Sequence, residues 1–565
     1  MAIRHDTANL DLLARLPLAA NAVLDVGCAS GALGHAYRRR NPRARQFGID
    51  VDPHAAALAA ERLDAVALGD VEADPLPFDD PPRFDCIVYG DVLQYLRDPW
   101  AVMRAHAAAL SEHGTVLICV PNVEHWSLTE RLLRGTWDYE DDGLLARGHL
   151  RWFSLRTMRR ALEEAGLAPC DVFPRLFNTE GATRFTSALS PALHSMGIDP
   201  AEYAQRAAPL QFIWRAQKQP AARMVVGASM LPPVGGVSHV RVVHPLMAIG
   251  TEPGVAVQLG VAMPPAANDP DVPRIFVLHR PILTGDDGLA VVRRLIAEGW
   301  VVVTEFDDHP DFLLDNPPGD DQFAFAGVHA VQTSTERLAE VLRGRNPEVR
   351  VFPNAMSTLP EPRNFRDARA LTLFFGALNR ERDWEPVMPA INAVAQAAGA
   401  RLRFEVVHDQ AFFDALQTPH KRFTPTCDYD QYLELLGGCE ISLMPLRDTA
   451  FNRAKSDLKF IEAGACRVAA LAAPIVYGGT IEDGRTGLLF DDPAELHDRL
   501  LRLVAMPDLA RALGDAARAY VAGERMLAYQ VADRIAWYHD LWRRRNELTA
   551  ALVLRLAGVR PSDTP

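Results

Sequence analysis

The chain is 565 residues long, 48% hydrophobic and 23% charged, with a formal charge of -13 and a mean hydropathy of -0.05. These values exclude a disordered, fibrous or membrane-embedded polypeptide, and the acidic balance supplies none of the basic field that nonspecific nucleic-acid binding needs. The length suits about three to five folding units, which excludes a single small binding module.

Short β-rich runs alternate with amphipathic helical stretches almost from end to end, the pattern of parallel α/β layers. A first series holds strands near Ala22-Val26, Gln46-Ile49, Ala65-Leu68, Asp85-Tyr89 and Thr115-Val120, a helix from Ser154 to Ala165, and late strands near Cys170-Phe173 and Gln211-Arg215. The polar stretch Arg215 to Arg223 follows, and a fresh strand at Met224-Val-Val-Gly227 opens a second series, so a domain boundary is expected there. That series holds strands near Ile275-Leu278, Val301-Thr304, Ala330-Gln332 and Val349-Phe352. A proline-bearing segment, Ser357 to Arg369, then precedes a strand at Leu371-Phe375. The expected domains are therefore 1–218, 224–354 and 370–545, the last ending in a long helix near Met526 to Arg545, with a tail at 546–565.

Seven cysteines (Cys28, Cys86, Cys119, Cys170, Cys427, Cys439, Cys466) are scattered and never spaced as CxxC. Neither a disulfide framework nor a metal site is indicated, and the thiols suit a reducing compartment. No uninterrupted apolar run of about 18 residues occurs, so a cytoplasmic protein without a membrane span is expected, peripheral association remaining compatible. Lysine occurs only at Lys218, Lys421, Lys455 and Lys459, against 55 arginines. A lysine retained in such a chain suggests a point charge that a planar guanidinium cannot replace.

In the first series, Val23-Leu-Asp-Val26 runs into Gly27-Cys-Ala-Ser-Gly31 and then a helix, a turn that lets backbone approach a ligand closely. Asp25 lies in that strand, Asp50 ends the next, Asp70 follows the third and Asp91 the fourth. The spacing is not the GxGxxG of a dinucleotide site. The ordered set resembles class I AdoMet-dependent methyltransferases over about residues 20 to 175, in the branch that carries Pro121-Asn122, His125-Trp126, Trp137-Asp-Tyr139 and His149-Leu-Arg-Trp-Phe-Ser154. The resemblance implies that Asp25, Gly27 and Gly31 frame the methionine part of AdoMet, Asp50 its ribose and Asp70 its adenine, with Asp91 beside them. Many relatives carry Glu-His where this chain has Gln94-Tyr95. The remaining imidazoles, His125 and His149, are the candidates to take a proton from a hydroxyl acceptor.

The second series resembles a two-lobed GT-B glycosyltransferase, family 4-like, over about residues 224 to 540. Pro232-Pro-Val-Gly-Gly236 precedes a helix with His239, Arg241 and Pro245. Val301-Val-Val-Thr-Glu-Phe-Asp-Asp308 ends in paired carboxylates, and Phe375-Gly376-Ala-Leu-Asn-Arg380 and Asn452 to Gly464 look like donor-binding segments. On one helix, Lys455, Lys459 and Glu462 would share a face at i, i+4 and i+7. Two ammonium groups would then meet a donor diphosphate and a carboxylate its ribose, with Gly236, Arg380 and Arg382 as further donor contacts. The plainer alternative is salt bridges of those lysines with Asp457 or Glu462 on a solvated helix. The glutamate that such transferases usually pair with the Glu462 position is replaced by Ala454, so neither stereochemistry nor a catalytic base is fixed.

The expectation is an α/β chain in which a Rossmann-like seven-stranded methyltransferase domain precedes a two-lobed GT-B fold. It would use AdoMet and a nucleotide sugar, without a metal, on a glycan or glycoprotein acceptor, with Lys455 stabilising the leaving diphosphate. Two alternatives stand beside it: a glycosyltransferase with a degenerate docking domain, motivated by Gln94-Tyr95, and a nonenzymatic glycan-binding module, motivated by Ala454.

Overall fold

A computed structural model describes residues 6–230, 236–260, 269, 271–310, 323–362, 370–377 and 380–558. Pro232 to Gly235, Leu378 and Asn379, all within segments singled out above, lie outside them, as does 363–369 of the expected linker. The chain divides into two compact units, Met1–Arg223 with Gly250–Val255, and Met224–Ile249 with Ala256–Pro565.

The first unit is built on one seven-stranded sheet: β1 (Ala22–Val26), β2 (Arg45–Asp50), β3 (Ala65–Leu68), β4 (Phe84–Gly90), β5 (Leu110–Pro121), β6 (Ala168–Arg175) and β7 (Gln211–Gln217). The strand order is β3-β2-β1-β4-β5-β7-β6, with β7 antiparallel to both neighbours and the other pairs parallel. β1 and β4 are apolar because helices cover both faces of a parallel sheet. Leu24, Val26, Ile87 and Tyr89 sit in the core with Ile118, Met158, Leu162 and Trp214. The sequence did not announce the helices Thr179–Ser195 and Pro200–Ala207 between β6 and β7. Gly250–Val255 joins this unit because Arg215, 1% exposed, pairs with Asp171 at 2.8 Å and donates to the carbonyls of Gly250 and Thr251.

The second unit contains two six-stranded sheets. One comprises β8 (Met224–Ser229), β9 (Val255–Gly260), β10 (Arg274–His279), β11 (Val301–Glu305), β12 (Ala330–Thr333) and β13 (Val349–Val351), ordered β13-β12-β11-β10-β8-β9. The other comprises β14 (Leu371–Gly376), β15 (Leu402–Val407), β16 (Lys421–Thr424), β17 (Ile441–Met444), β18 (Ala469–Ala472) and β19 (Leu488–Leu489), ordered β16-β15-β14-β17-β18-β19, all parallel. Two parallel lobes with a late helix returning to the first are the GT-B architecture. That helix, Val531–Arg543, buries Tyr538 so that its hydroxyl donates to Gln332 of β12 at 2.9 Å. The expected tail is corrected: Arg545–Gly558 is a helix, because Leu548 and Leu552 are buried and Arg555 donates to the carbonyls of Ala326 and Val328.

One buried ion pair of the first lobe anchors the segment that reaches the second. The helical stretch from Gly236 to Ile249 passes through a π turn at His239–Val243, and Arg241 on that turn meets Glu305 at the end of β11 through two bonds of 2.9 and 3.1 Å. Arg241 is 3% and Glu305 0% exposed. The guanidinium also donates to the Phe352 carbonyl and to Asn354 Oδ1, and Asn354 donates to Ser456 Oγ of the second lobe at 2.7 Å. Arg525 closes the circuit on the Asn354 carbonyl and the Asp457 carboxylate. Breaking a buried pair strands the other charge, so Arg241→Ala should lower stability by about 3–5 kcal/mol, whereas Arg241→Met combined with Glu305→Leu should cost distinctly less. Calorimetric unfolding of the three proteins checks this order.

Candidate active sites

In the first unit, the Gly27 and Cys28 amides both donate to the Ile49 carbonyl, folding the turn after β1 over the end of β2. Gly27 (φ +70°) and Gly31 (φ +74°) take the left-handed region, and a Cβ on Gly27 would lie 2.3 Å from Val92 Cγ2. Glycine is required there by conformation and by space. Ala29, at φ 47°, accepts the same region, and its amide donates to Asp50 Oδ2 at 2.8 Å while the Asp52 amide donates to Oδ1 at 2.9 Å. Two amides thus fix the Asp50 carboxylate and leave each oxygen a further lone pair. Asp25 is buried, and desolvation followed by the nearby Asp50 charge pushes its carboxyl up to about 7. Asp70 is exposed after β3, accepting from the Glu72 amide. Asp91, at φ 61°, accepts from Gln211 Nε2 at 2.5 Å, a contact that the sequence did not suggest. The acidic residues and glycine cradle at successive strand ends fit AdoMet.

Gln94-Tyr95 anchors the segment that holds His149. The Gln94 carbonyl accepts the Leu150 and Arg151 amides at 2.7 and 3.1 Å, and its side chain donates to the Asp91 carbonyl. The Tyr95 ring meets the His149 ring edge-on, with centroids 4.9 Å apart. His149 Nδ1 lies 3.3 Å from the Leu144 carbonyl, which only accepts, so Nδ1 carries the proton and Nε2 the lone pair. Burial lowers its pKa. His125 Nδ1 faces Ser127, accepting its amide as cap of the helix Trp126–Arg134 and lying 2.8 Å from its hydroxyl, and burial lowers its pKa to about 4.

In the second unit, the expected single helix face is also corrected. The helix is Leu458–Ala465, and Lys455 lies before it, after the short helix Ala450–Arg453. Asp457 precedes the later helix without a side-chain capping bond, and its carboxylate is held by Arg525 and Thr480, not by either lysine. Lys455 Nζ instead bonds both oxygens of Asp308, at 2.6 and 2.7 Å, and lies 4.1 Å from the Phe451 ring. Lys459 donates to the Gly376 carbonyl at the end of β14 and to the Tyr432 hydroxyl. Glu462, 3% exposed, accepts from the Tyr429 hydroxyl at 3.0 Å, and burial raises its pKa. Gly236 abuts the Tyr429 ring, where a Cβ would come within 2.8 Å.

Arg380 donates to Asn452 Oδ1 at 2.8 Å and pairs with Asp383. Its charge depresses both lysine pKa values after burial has done so first. Asp383 also borders a cavity of about 480 Å³ lined with Pro445, Arg447, Pro474 and Asp491, so the Arg380 pair stands beside space that part of a ligand could fill. Arg382 is exposed, and the contacts of Arg380, Lys455 and Lys459 are made without it. His279, ending β10, was not singled out in the sequence. It is 4% exposed, neither ring nitrogen has a hydrogen-bond partner, and burial lowers its pKa to about 4.

The family model described as "Methyltransferase domain" matches residues 2–171, and that described as "Glycosyl transferase-like" matches 389–536. The chain is 36% identical over 126 residues to trans-aconitate 2-methyltransferase of Methylobacterium nodulans, covering 22% of this chain and 47% of that protein. It is 30% identical over 139 residues to a ubiquinone biosynthesis O-methyltransferase of Ralstonia nicotianae, covering 22% and 57%. The chain spans about half the length of the curated relatives it matches. Among solved structures it is similar to sucrose-phosphate synthase from Thermosynechococcus elongatus, at 13% identity and TM-score 0.41 over 57% of this chain and all of that one. It is also similar to S. aureus TarM in a complex containing UDP, at 12% identity and TM-score 0.37 over 47% and 55%. The chain thus carries a methyltransferase domain followed by a glycosyl transferase-like domain. No helix among the described residues is long and apolar enough to cross a membrane.

Asp25 gives a pH signature. Its carboxyl is raised from 3.8 to about 7 in the folded chain, so between those values the unfolded chain holds fewer protons and stability falls as pH rises. Asp25→Asn removes that loss. The stability difference between variant and wild type should grow by up to about 4 kcal/mol from pH 4 to pH 8. Calorimetry of the ligand-free full chain across that range reads it, and a difference that does not vary with pH would return Asp25 to an ordinary carboxylate.

Proposed function

We propose that the chain is a bifunctional transferase of surface-glycan or glycoprotein biosynthesis, moving a sugar from a nucleotide-sugar donor and a methyl group from AdoMet to a glycan. The observation that carries the reading is the grouping of Arg380, Lys455 and Lys459 around the end of β14 and the head of the helix Leu458–Ala465. Three cations there suit a diphosphate leaving group, whose developing charge is the main demand of glycosyl transfer. Glu462 offers a carboxylate to ribose. His279, neutral and with both nitrogens unpaired, offers an imidazole to a hydroxyl of the transferred sugar.

On the methyl side, Asp25, Gly27 and Gly31 would hold the methionine end of AdoMet, Asp50 the ribose, Asp70 the adenine, with Asp91 beside them. AdoMet, when bound, supplies an electrophilic methyl group. His149 Nε2 takes the proton of the acceptor hydroxyl, and the Leu144 carbonyl keeps the ring in the required tautomer. Gln94-Tyr95 favours a second reading, in which the first unit binds AdoMet but only docks the acceptor. The Gln94 amide is occupied by the Asp91 carbonyl, and Tyr95 supplies neither the carboxylate nor the imidazole of many relatives.

Transfer assays with AdoMet and a panel of nucleotide sugars on extracted surface glycans, read by mass, test both halves. Lys455→Ala should lower sugar transfer on the order of 10²- to 10³-fold, and Lys455→Arg should recover part of it. Full activity in a folded Lys455→Ala protein would remove the diphosphate role.

Asp50→Ala should weaken AdoMet binding by about 1.5–3 kcal/mol in calorimetry. His149→Asn should leave that binding intact while methyl transfer falls on the order of 10²-fold. Binding of AdoMet with no methyl transfer by the wild type would select the docking reading.

A further inference from the structure

We infer that Asp308, from the first lobe of the second unit, is the positioning residue for Lys455, setting its ammonium where a donor diphosphate is to lie; the inference rests on the diphosphate reading of Lys455. Lys455 sits in the non-helical stretch between the helices Ala450–Arg453 and Leu458–Ala465. A flexible four-carbon stem on such a segment leaves the charge free over several ångströms unless another group holds it.

Asp308 does so with both oxygens, at 2.6 and 2.7 Å from Nζ, from a carboxylate only 5% exposed. The carboxylate is itself held. The His309 amide donates to its Oδ1 at 2.9 Å, and Arg280 stands 3.8 Å from its Oδ2 while pairing with Asp307 at 2.7 Å.

Arg280 adopts φ 46°, a left-handed backbone that a side-chain-bearing residue keeps only where its surroundings fix it. It follows His279, whose unpaired buried nitrogens mark the same strand end as built for a ligand. An ammonium has three N–H donors. Two are aimed at Asp308, and the third, with the Phe451 ring 4.1 Å away, has no other hydrogen-bond acceptor among the described residues.

Ala454 explains why the carboxylate comes from the other lobe. Its methyl is packed in the core of the first lobe with Phe276, Leu278 and Phe306, so a glutamate at 454 would place a charge in apolar packing. Asp308 delivers a carboxylate to the adjacent residue without that cost. The groups acting on Lys455 are Asp308 and Asp307 from the first lobe and Arg380 from the second, and burial, joined by Arg380, outweighs the two carboxylates in lowering its pKa. Loss of the Asp308 charge lowers it further, so the ammonium is lost at a lower pH.

The test is calorimetric titration of the full chain with UDP, GDP, ADP and dTDP, from pH 6 to 10. The proteins compared are wild type, Asp308→Asn, Asp308→Glu, Lys455→Ala and the Asp308→Asn/Lys455→Ala double variant. With the tightest-binding diphosphate, Asp308→Asn should bind about tenfold more weakly. Its alkaline loss of binding should shift to lower pH, and Asp308→Glu should fall between it and wild type. The double variant should lose no more than Lys455→Ala alone.

Equal or tighter binding by folded Asp308→Asn, or additive losses in the double variant, would overturn the positioning role while leaving the donor site standing. Should Asp308→Asn not fold, wild-type affinity in Asp308→Glu overturns it equally. Absence of diphosphate binding by the wild type would instead remove the donor reading and this inference with it.

Discussion

The pair between Arg241 and Glu305 is the constraint on which the second unit depends. Neither charge reaches water, so each is tolerable only while the other and its hydrogen bonds are in place. Arg241 also donates to the Phe352 carbonyl and Asn354 Oδ1, and Glu305 takes Gln332 as well. Through Asn354 to Ser456 and through Gln332 to Tyr538, the one ion pair fixes the segment between the lobes and the returning helix. The π turn that carries Arg241 fits this role, since one extra residue per turn re-aims a side chain without ending the helix.

In both units the chemistry-bearing groups gather at the carboxyl ends of parallel strands, where loops replace covering helices. The first unit manages like charges there: Asp25 and Asp50 are close enough that burial and mutual repulsion keep one of them protonated well above the usual range. The second manages opposite ones. Arg280 with Asp307, Lys455 with Asp308 and Arg380 with Asp383 are neutral pairs in which each cation is oriented by a carboxylate. Such pairing keeps half-buried cations charged and confined in position.

How far the sequence could be read depended on whether the deciding interactions were local. Strand ends carrying Asp25, Asp50 and Asp91 were legible because an apolar run that stops at a carboxylate is a local pattern. The alternating layers rest on similar patterns. The helix face of Lys455, Lys459 and Glu462 was misread because the helix starts only at Leu458, after Asp457 turns its carboxylate to Arg525, 68 positions away. His125 was ambiguous in the sequence because a histidine before a helix is as well suited to capping as to proton transfer. Its Nδ1 is engaged with the Ser127 amide and hydroxyl. His279 carried no signal at all: a lone histidine ending a strand acquires meaning only when its surroundings leave both nitrogens unpaired.

The lysines have a practical corollary. All four ammonium groups donate to internal acceptors: Lys218 to the Leu110 carbonyl, Lys421 to those of Phe413 and Leu416, Lys459 to that of Gly376, and Lys455 to a carboxylate. Of these residues only Lys218 is exposed. Among the lysines, amine-directed crosslinkers, fluorophores and immobilisation resins therefore meet Lys218 most readily, and it lies in the first unit. Conjugation confined to Lys218 leaves the second unit's surface charge and its cationic cluster intact.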